Sequence, residues 1–536
     1  MLDYDLTQRG ELGLYEYLYR CVRDDIASGA IGPDERLPSK RALAAHLGVS
    51  LATVEAAYAQ LVAEGYVRTR PRSGHFACRL PGRPAGVELV GAGETGDGAS
   101  GHDGAGETDD WSAASDDRGA AGASRPSGTG GPDARAGQAD PDAPLAKKPL
   151  LADLTGRSAA TDPAAARLWS RTLRAVLATE PDDQTFARPD PAGTPRLRAA
   201  IARYLRQTRG MVVDPGRIVV GAGAQLLDGM LVQLVGRGRP VALEDPGYPR
   251  LTRLYQANGC EVRHVGLDDE GVRMHDLEAS GAGLVHVMPS HQFPTGRVTS
   301  IARRYELLGW AAGGTGAGTS GGPGAGCANG PGAGPARLIV EDDYDCEFRL
   351  AGRPVPALAS VDACGCVAYT NTLSKGLGPA FRLAYLVLPD ALAERFGREL
   401  GFYDSTVSAV EQAVLARLLE TGDYERHVAR VRTAARETRD LLVGELLASG
   451  AGPRLAVEEA DSGLHFVLAA ECDRTEREAA ATARELGVIV MPLGDFAELP
   501  QHRSRPDGRR RFVIQYAGLD RARIPEVAQA LAHALS

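Results

Sequence analysis

Apolar residues recur at every fourth position near the start of the chain, a spacing that places them on one face of an α-helix. Leu14, Leu18, Val22 and Ile26 follow this spacing, and Gly29 comes soon after them. Glycine commonly ends a helix because it adopts a left-handed backbone conformation without strain. The pattern predicts a helix that buries one face and stops at this glycine.

Two further helical stretches follow, separated by a tight turn. Ser39 can cap the helix in PSKRALAAHLG, and Ser50 can cap the helix in SLATVEAAYAQLVAEG. Two short helices joined in this way form a helix-turn-helix, whose second helix can enter a major groove. The next segment, YVRTRPRSGHFA, alternates and turns at RSG, which predicts a two-stranded wing. Its arginines can meet phosphates or the minor groove: Arg68, Arg70 and Arg72.

From residue 151 onward, short apolar runs alternate with helical patterns. Six runs have this character: RIVVGAG, PVALEDPGY, GLVHVMP, RLIVEDDYD, CVAYTNTLSK and RLAYLVL. Strands of this kind, separated by helices, indicate an α/β domain with a mostly parallel sheet. Because ligands bind beyond the carboxyl ends of such strands, the polar residues at those ends are candidates for a site.

Two low-complexity segments interrupt these patterns. Residues 80–148 are rich in Gly, Ala, Asp, Ser and Pro, a composition that cannot bury enough apolar surface to fold. We expect a flexible, acidic linker there. Residues 311–336 form a glycine-rich run that predicts a surface insertion. The expected folded domains are therefore residues 11–79 and 149–536.

Charge and cysteine content narrow the class of protein. The net charge is -9, so the basic wing is a local feature that suits a nucleic-acid contact. The chain lacks a run of eighteen apolar residues and a signal peptide, so we expect a cytoplasmic protein without a membrane partner. Of eight cysteines, only Cys364 and Cys366 lie close together, and we expect neither a metal site nor a disulfide framework.

One lysine stands out in a chain that otherwise uses arginine. The chain has four lysines, and Lys375 is the only one after Lys148. A lysine amine can lose its proton and form a Schiff base, which arginine cannot. Chance survival in an arginine-rich composition is the alternative explanation. Ser374 and Arg382 lie near this lysine and are candidate phosphate ligands.

Other strand ends carry groups that pyridoxal phosphate needs. The turn before Ala224 and Gln225 can cradle a phosphate with backbone amides. Consecutive carboxylates end RLIVEDDYD, and one of them can keep a pyridine nitrogen protonated. Tyr248 could stack on a flat ring. Each group alone has an ordinary explanation, such as an exposed acidic loop for the carboxylates. Together they supply every group that pyridoxal phosphate needs.

Residues 11–78 resemble the winged helix-turn-helix of the GntR family, through DERLPSKRALAAHLGVS, TVEAAYAQLVAEGYV and RPRSGHF. Leu51 stands where many members have an arginine, so the operator preference of the family does not transfer. The resemblance implies that a second group of residues touches double-stranded DNA: Ser39, Lys40, Arg41, Ser50 and Thr53.

The larger part resembles the fold type I aminotransferases, and the domain order resembles the MocR/GabR subfamily of GntR regulators. The motifs include ARPDPAGTPRLRAAIARYLRQTRGM, PSHQFPTGRV, VEDDYDCEFR, TLSKGLGPAFRLAYLVLP and GLHFV. The resemblance implies a homodimer, a seven-stranded sheet with a small C-terminal α/β subdomain, and pyridoxal phosphate on Lys375. It assigns the other contacts to Asp342 (ring nitrogen), Tyr344 (phenolate oxygen), Tyr248 (stacking) and Ala224, Gln225, Ser374 and Arg382 (phosphate).

The expected effector pocket departs from the family. Arg250 matches an arginine near that pocket, but Asp495 stands where many members have a carboxylate-binding arginine. A carboxylate there favours an amine or cation over an acid, unless one of the nearby residues 509–511 compensates. The resemblance implies a transcription regulator that senses pyridoxal phosphate, an amine or an amino acid. An active aminotransferase with an appended DNA-binding domain, and a degenerate domain kept for dimerisation, are the alternatives.

Overall fold

A computed structural model of the chain describes residues 13–70, 73–80, 150–156, 162–313, 337–350, 356–461, 463–503 and 506–536, with residues 2, 4 and 6–9. All but the first residue of the predicted linker lie outside the described residues, as do Arg72 and residues 314–336 of the predicted insertion. The described residues before and after the predicted linker together form one compact unit.

The predicted winged helix is confirmed. Its elements are α1 (Leu14–Ser28), α2 (Lys40–Leu47), α3 (Leu51–Ala63), β1 (Val67–Arg70) and β2 (Gly74–Ala77). Ser39 accepts a hydrogen bond from the amide of Ala42, and Ser50 accepts one from the amide of Thr53, so both serines cap helices. Leu18 and Val22 are buried in the core between the helices, as the spacing predicts.

The large domain alternates strands and helices. Its strands are β3 (Ala152–Asp153), β4 (Ile218–Gly221), β5 (Val241–Asp245), β6 (Val262–Asp268), β7 (Gly271–Val272), β8 (Leu284–Val287), β9 (Leu338–Asp342), β10 (Val367–Thr372), β11 (Ala384–Val387), β12 (Leu455–Glu458), β13 (His465–Ala470), β14 (Val488–Ile489), β15 (Met491–Pro492) and β16 (Arg510–Gln515). Its helices are α4 (Pro163–Thr179), α5 (Asp182–Thr185), α6 (Pro195–Arg209), α7 (Ala224–Val235), α8 (Pro249–Ala257), α9 (Met274–Ala279), α10 (Ile301–Ala311), α11 (Ser374–Leu377), α12 (Asp390–Glu399), α13 (Ala409–Glu420), α14 (Asp423–Ala448), α15 (Glu476–Glu485) and α16 (Ile524–Ala534).

The central sheet has the order β4-β11-β10-β9-β8-β5-β6-β7. The five strands from β10 to β6 are parallel, whereas β11 is antiparallel to both of its neighbours. The predicted mostly parallel sheet is confirmed, with the two-residue β7 added as an eighth strand at the edge. All six predicted runs form strands. The run predictions missed β6, because its sequence VRHVGLD mixes polar with apolar residues.

A second sheet of order β12-β13-β16-β15 forms the small C-terminal subdomain, and its strands are antiparallel. The first strand of the large domain, β3, pairs with β14 and so joins the two ends of the domain. No helix in the described part of the chain is both long enough and apolar enough to cross a membrane.

The winged helix packs on the large domain through the end of α3. The carbonyl of Glu64 accepts a hydrogen bond from the amide of Ile301 at 3.0 Å, at the start of α10. The Glu64 carboxylate is buried and accepts a hydrogen bond from Tyr19 at 2.5 Å. Tyr66 hydrogen-bonds Tyr305 across the same contact. The DNA-binding domain and α10 therefore share a buried polar interface.

Candidate functional site

The carboxyl ends of β9 and β10 bring the predicted acid and lysine to one edge of the sheet. Asp342 ends β9 and pairs in parallel register with Thr370 of β10. Lys375 lies in α11 directly after β10, and its side chain is exposed at this edge. Its Nζ atom is 5.7 Å from the ring centre of Tyr344. The parallel register thus assembles three of the predicted residues.

A buried histidine stands behind the acid. Nε2 of His286, on β8, lies 3.7 Å from Oδ2 of Asp342, and its Nδ1 is 2.9 Å from the Tyr255 hydroxyl. Burial lowers the pKa of His286, but Asp342, together with Asp228 and Glu244, outweighs burial and raises it. A cationic imidazole favours an ionised Asp342, the form that binds a protonated ring nitrogen.

The turn between β4 and α7 forms an anion cradle. Gly223 caps α7 with a φ of 99°, a conformation that favours glycine. A Cβ at this position would lie 2.6 Å from Nη2 of Arg382, so a side chain there would displace the guanidinium. Ala224 and Gln225 supply the first amides of the helix, which lack partners within it. An arginine against a helix N-terminus suits a phosphate, and the cradle fits pyridoxal phosphate.

The turn that carries the lysine is held from two sides. Ser374 donates its hydroxyl to the carbonyl of Phe381 at 2.6 Å. The buried ring of His427 lies 2.9 Å from the carbonyl of Gly376 through Nε2. Both contacts fix the backbone beside Lys375. Because its hydroxyl proton closes this turn, a phosphate contact by Ser374 stays a prediction.

Three aromatic residues pack in a row between the large domain and the small subdomain. Tyr248 packs edge-to-face on Phe293, and Phe293 packs in the same way on Phe496 of the small subdomain. Burial raises the pKa of Tyr248, which also hydrogen-bonds Arg250. A small cavity lies next to Tyr248 and is lined by Glu244 and other residues. The predicted stacking tyrosine and effector arginine therefore lie together.

The second predicted effector residue has a different setting. Oδ1 of Asp495 accepts hydrogen bonds from Nε and Nη2 of Arg477 at 2.9 and 2.8 Å. This ion pair offsets the negative charge on which the preference for an amine depended. Phe496, the next residue, lines the cavity instead. Selection of a cationic effector by Asp495 stays a prediction.

The arginines that could compensate for Asp495 are engaged within the small subdomain. Arg509 pairs with Glu471 at 2.6 Å, and Arg511 is buried in a pair with Glu458 at 2.9 Å. Nε of Arg510 donates a hydrogen bond to the carbonyl of Arg474 at 3.0 Å. The hydrogen bonds of these three side chains are thus directed at the subdomain itself.

The described residues that are predicted to contact DNA lie on the elements of the winged helix. Lys40 and Arg41 begin α2, and Arg41 is exposed. Arg68 and Arg70 are exposed on β1, and both pair with Asp34, with 3.2 Å between Asp34 and Arg70. Sequence reasoning missed Asp34 because it lies far from the wing in sequence. Its carboxylate holds the two arginines together and partly offsets their charge.

Glu244 makes stability depend on pH. Burial raises its pKa to about 7, against hydrogen bonds from Gln292 and Met288. Since folding raises this pKa, the group stabilises the protein most below the unfolded pKa and loses that contribution as pH rises through 7. We expect the loss between pH 5 and pH 8 to be about 2.5 kcal/mol. Glu244→Gln should lower the pH dependence of denaturant unfolding by this amount. The buried Asp228, Glu341 and Glu347, whose pKa values burial also raises to about 7, should keep the remainder.

The exposed Glu394 provides the control for that measurement. Glu394→Gln should leave the pH dependence of unfolding at its wild-type value. Equal pH profiles for wild type and Glu244→Gln would show that Glu244 is ionised in the folded protein at neutral pH.

Both domains of the chain match known protein families. Residues 14–76 match the family described as bacterial regulatory proteins, gntR family. Residues 164–307 and 345–531 match the family described as aminotransferase class I and II. Among solved structures, the multiple substrate aminotransferase of Thermococcus profundus has a TM-score of 0.59 at 20% identity and covers 72% of this chain and 91% of its own. That likeness shows the fold.

Three relatives align with most of this chain and with most of their own length. The HTH-type regulator YhdI of Bacillus subtilis is 32% identical over 91% of this chain and 90% of its own length. The probable rhizopine catabolism regulatory protein MocR of Rhizobium meliloti is 28% identical over 96% and 92%. The pyridoxine biosynthesis regulator PdxR of Corynebacterium glutamicum is 27% identical over 89% and 87%. The chain therefore belongs to the MocR/GabR subfamily of GntR transcription regulators, which join a winged helix-turn-helix to an aminotransferase-like domain.

Proposed function

We propose that this regulator binds pyridoxal phosphate on Lys375. It responds either to the binding of the cofactor itself or to a small amine or amino acid that reaches the bound cofactor. This proposal rests on one observation: Lys375, Tyr344 and Asp342 lie together at one edge of the central sheet. When bound, pyridoxal phosphate supplies an electrophilic aldehyde that captures primary amines. The chain's own residues then hold, orient and select.

Each residue has a distinct part in this proposal. Arg382 and the first amides of α7 would hold the phosphate, and Tyr248 would pack against the ring. Asp342, backed by His286, would keep the ring nitrogen protonated. Burial raises the pKa of Tyr344, so its hydroxyl keeps its proton and can donate to an anionic oxygen. Arg250, beside Tyr248, is placed to meet an acidic group on the effector.

Two segments connect this site to the winged helix. Residues 289–301 run from the vicinity of Tyr344 to Ile301, which contacts Glu64. The buried guanidinium of Arg304 donates to the carbonyls of Pro289 and Thr299 and so clamps both ends of this segment. Residues 342–349 run from Asp342 to Arg349. Burial raises the pKa of Glu64, and the nearby charge of Arg349 opposes that rise. A ligand that moves either segment would change how the DNA-binding domain packs against α10.

The exposed aromatic surface beside the cradle supports a homodimer. Phe402 is 73% exposed and stacks on Tyr403. The same loop touches the cradle, because Thr406 accepts a hydrogen bond from the amide of Ala222 at 3.0 Å. Exposed apolar groups of this kind often mark a subunit interface. Sedimentation should show a dimer that Phe402→Glu weakens.

Because the partner is chromosomal DNA, we place the protein in the cytoplasm.

Arg70 should contribute a phosphate contact through the wing. Arg70→Ala is expected to weaken binding to the upstream region of its own gene and to lower the slope of log K against log salt by about 0.9, since one fewer counterion is released. Arg398→Ala, an exposed change on the large domain, is the control. An unchanged salt slope for Arg70→Ala would remove this residue from the interface.

Two assays separate the regulator from the alternatives. The regulator should prefer its own upstream DNA to random DNA by at least about a thousandfold. An aminotransferase with an appended domain would instead turn over amino acids steadily with a keto-acid acceptor, and would show no such preference. A domain kept only for dimerisation would bind DNA but no pyridoxal phosphate.

A further inference from the structure

Two buried histidines next to the lysine have no part in the proposed function. His291 follows β8 and His465 begins β13, and their ring centres are 4.3 Å apart. The two residues are 2% and 3% exposed. Asp345 completes the group, since one nitrogen or oxygen of each of the three residues lies within 4.8 Å of the others. These residues lie far apart in sequence, so no spacing motif indicates the cluster.

The protonation of His291 follows from its neighbours. Its Nδ1 atom lies 2.8 Å from Oδ2 of Asp345 and 3.2 Å from the hydroxyl of Tyr344. A carboxylate only accepts, so Nδ1 carries the proton and donates it. The lone pair of a neutral ring then lies on Nε2. That atom is buried and has no hydrogen-bond partner among the described residues.

His465 has the same arrangement. Its ring hydrogen-bonds the backbone of Pro294, and Nε2 is buried without a partner in the described part of the chain, so the bonded atom is Nδ1. Its Nε2 atom therefore also carries a lone pair that lacks a donor.

The backbone around the pair is shaped to admit it. Gly463 has a φ of 69°, and a Cβ there would lie 1.9 Å from Cε1 of His291. Only glycine lets the segment before β13 come this close, which brings His465 to His291. A buried acceptor without a donor destabilises a fold, and here two such acceptors lie in one place.

We propose that His291 and His465 bind a divalent transition-metal ion through Nε2, with Asp345 orienting His291. Histidine ligands donate their second ring nitrogen to a carboxylate or a backbone carbonyl, and these two rings have one of each. Neutral imidazole suits Zn²⁺, Cu²⁺ and Ni²⁺. Water fills the other positions. The ion would lie at the Nε2 edge of His291, away from the Nδ1 atom that meets Tyr344.

Zinc uptake by the full chain tests this site before any pyridoxal phosphate is added, so the result does not depend on the cofactor proposal. Chelator-stripped protein is titrated with Zn²⁺ in competition with a chromophoric chelator. We expect one tight ion per chain in wild type. His291→Gln and His465→Gln should each lose at least tenfold in affinity, and Asp345→Asn about 10- to 100-fold.

His275→Gln is the matched control, because His275 is an exposed histidine beside Asp276. It should bind Zn²⁺ like wild type. Failure of wild type to bind one ion, or wild-type affinity in the double variant of His291 and His465, would overturn the proposal. If the variants do not fold, Cu²⁺ bound to wild type decides: its electron paramagnetic resonance should show two imidazole nitrogens, and a spectrum without them would equally overturn the site.

Discussion

Lys375→Ala is expected to yield a colourless protein after desalting, whereas the wild type stays yellow with bound pyridoxal phosphate. The variant has no amine in the site to attach the cofactor, because Lys375 is the only lysine after Lys148. The phosphate cradle at Arg382 remains in the variant. We expect its phosphate contacts alone to be too weak to retain the cofactor during desalting. Reduction with borohydride, followed by peptide mass analysis, measures the attachment directly.

Lys40→Ala is the control for this experiment, since it removes a lysine from the winged helix and should leave the colour unchanged. Reductive labelling of any residue other than Lys375, or retention of label by Lys375→Ala, would contradict the assignment of the cofactor anchor.

Glu64→Ala should cost about 3 kcal/mol in the unfolding free energy of the winged helix and release that domain from α10. The change leaves Tyr19 and Gln60, which both donate to this carboxylate, without their acceptor in a buried place. Limited proteolysis of the N-terminal domain and its thermal unfolding measure the effect. We also expect DNA affinity in this variant to stop responding to pyridoxal phosphate.

The exposed Glu55 lies on the same helix and supplies the control Glu55→Ala. A Glu64→Ala protein with wild-type protease resistance would show that the buried contact does not hold the domain. A stable variant that still responds to the cofactor would place the coupling elsewhere.

Local patterns predicted much of this protein because the relevant signals lie within single elements. Helical spacing and capping serines determine α1 to α3, and apolar runs determine the central strands. Lys375 stood out by composition, and the motifs around it indicated the cofactor. Parallel pairing of β9 with β10 then brings Asp342 to the lysine, as the general rule for such sheets requires.

What sequence reasoning missed depends on pairs that only the tertiary fold creates. Asp34 meets the wing arginines, and Glu64 meets Ile301, across long stretches of chain. His286 could have been suspected, because a histidine inside the apolar run GLVHVMP must be buried with a partner. Asp495 was assigned by loop alignment, and its charge is directed at Arg477, a partner that no alignment of that loop contains.

If the state of Lys375 controls DNA binding, pyridoxal phosphate should act on DNA affinity through this lysine alone. The affinity of wild type and Lys375→Ala for the intergenic region beside the gene, measured at fixed salt with and without pyridoxal phosphate, tests this. We expect the cofactor to change the wild-type affinity about tenfold, a coupling of about 1.4 kcal/mol, and to leave the affinity of the variant unchanged. Equal responses of the two proteins, or none in the wild type, would contradict it.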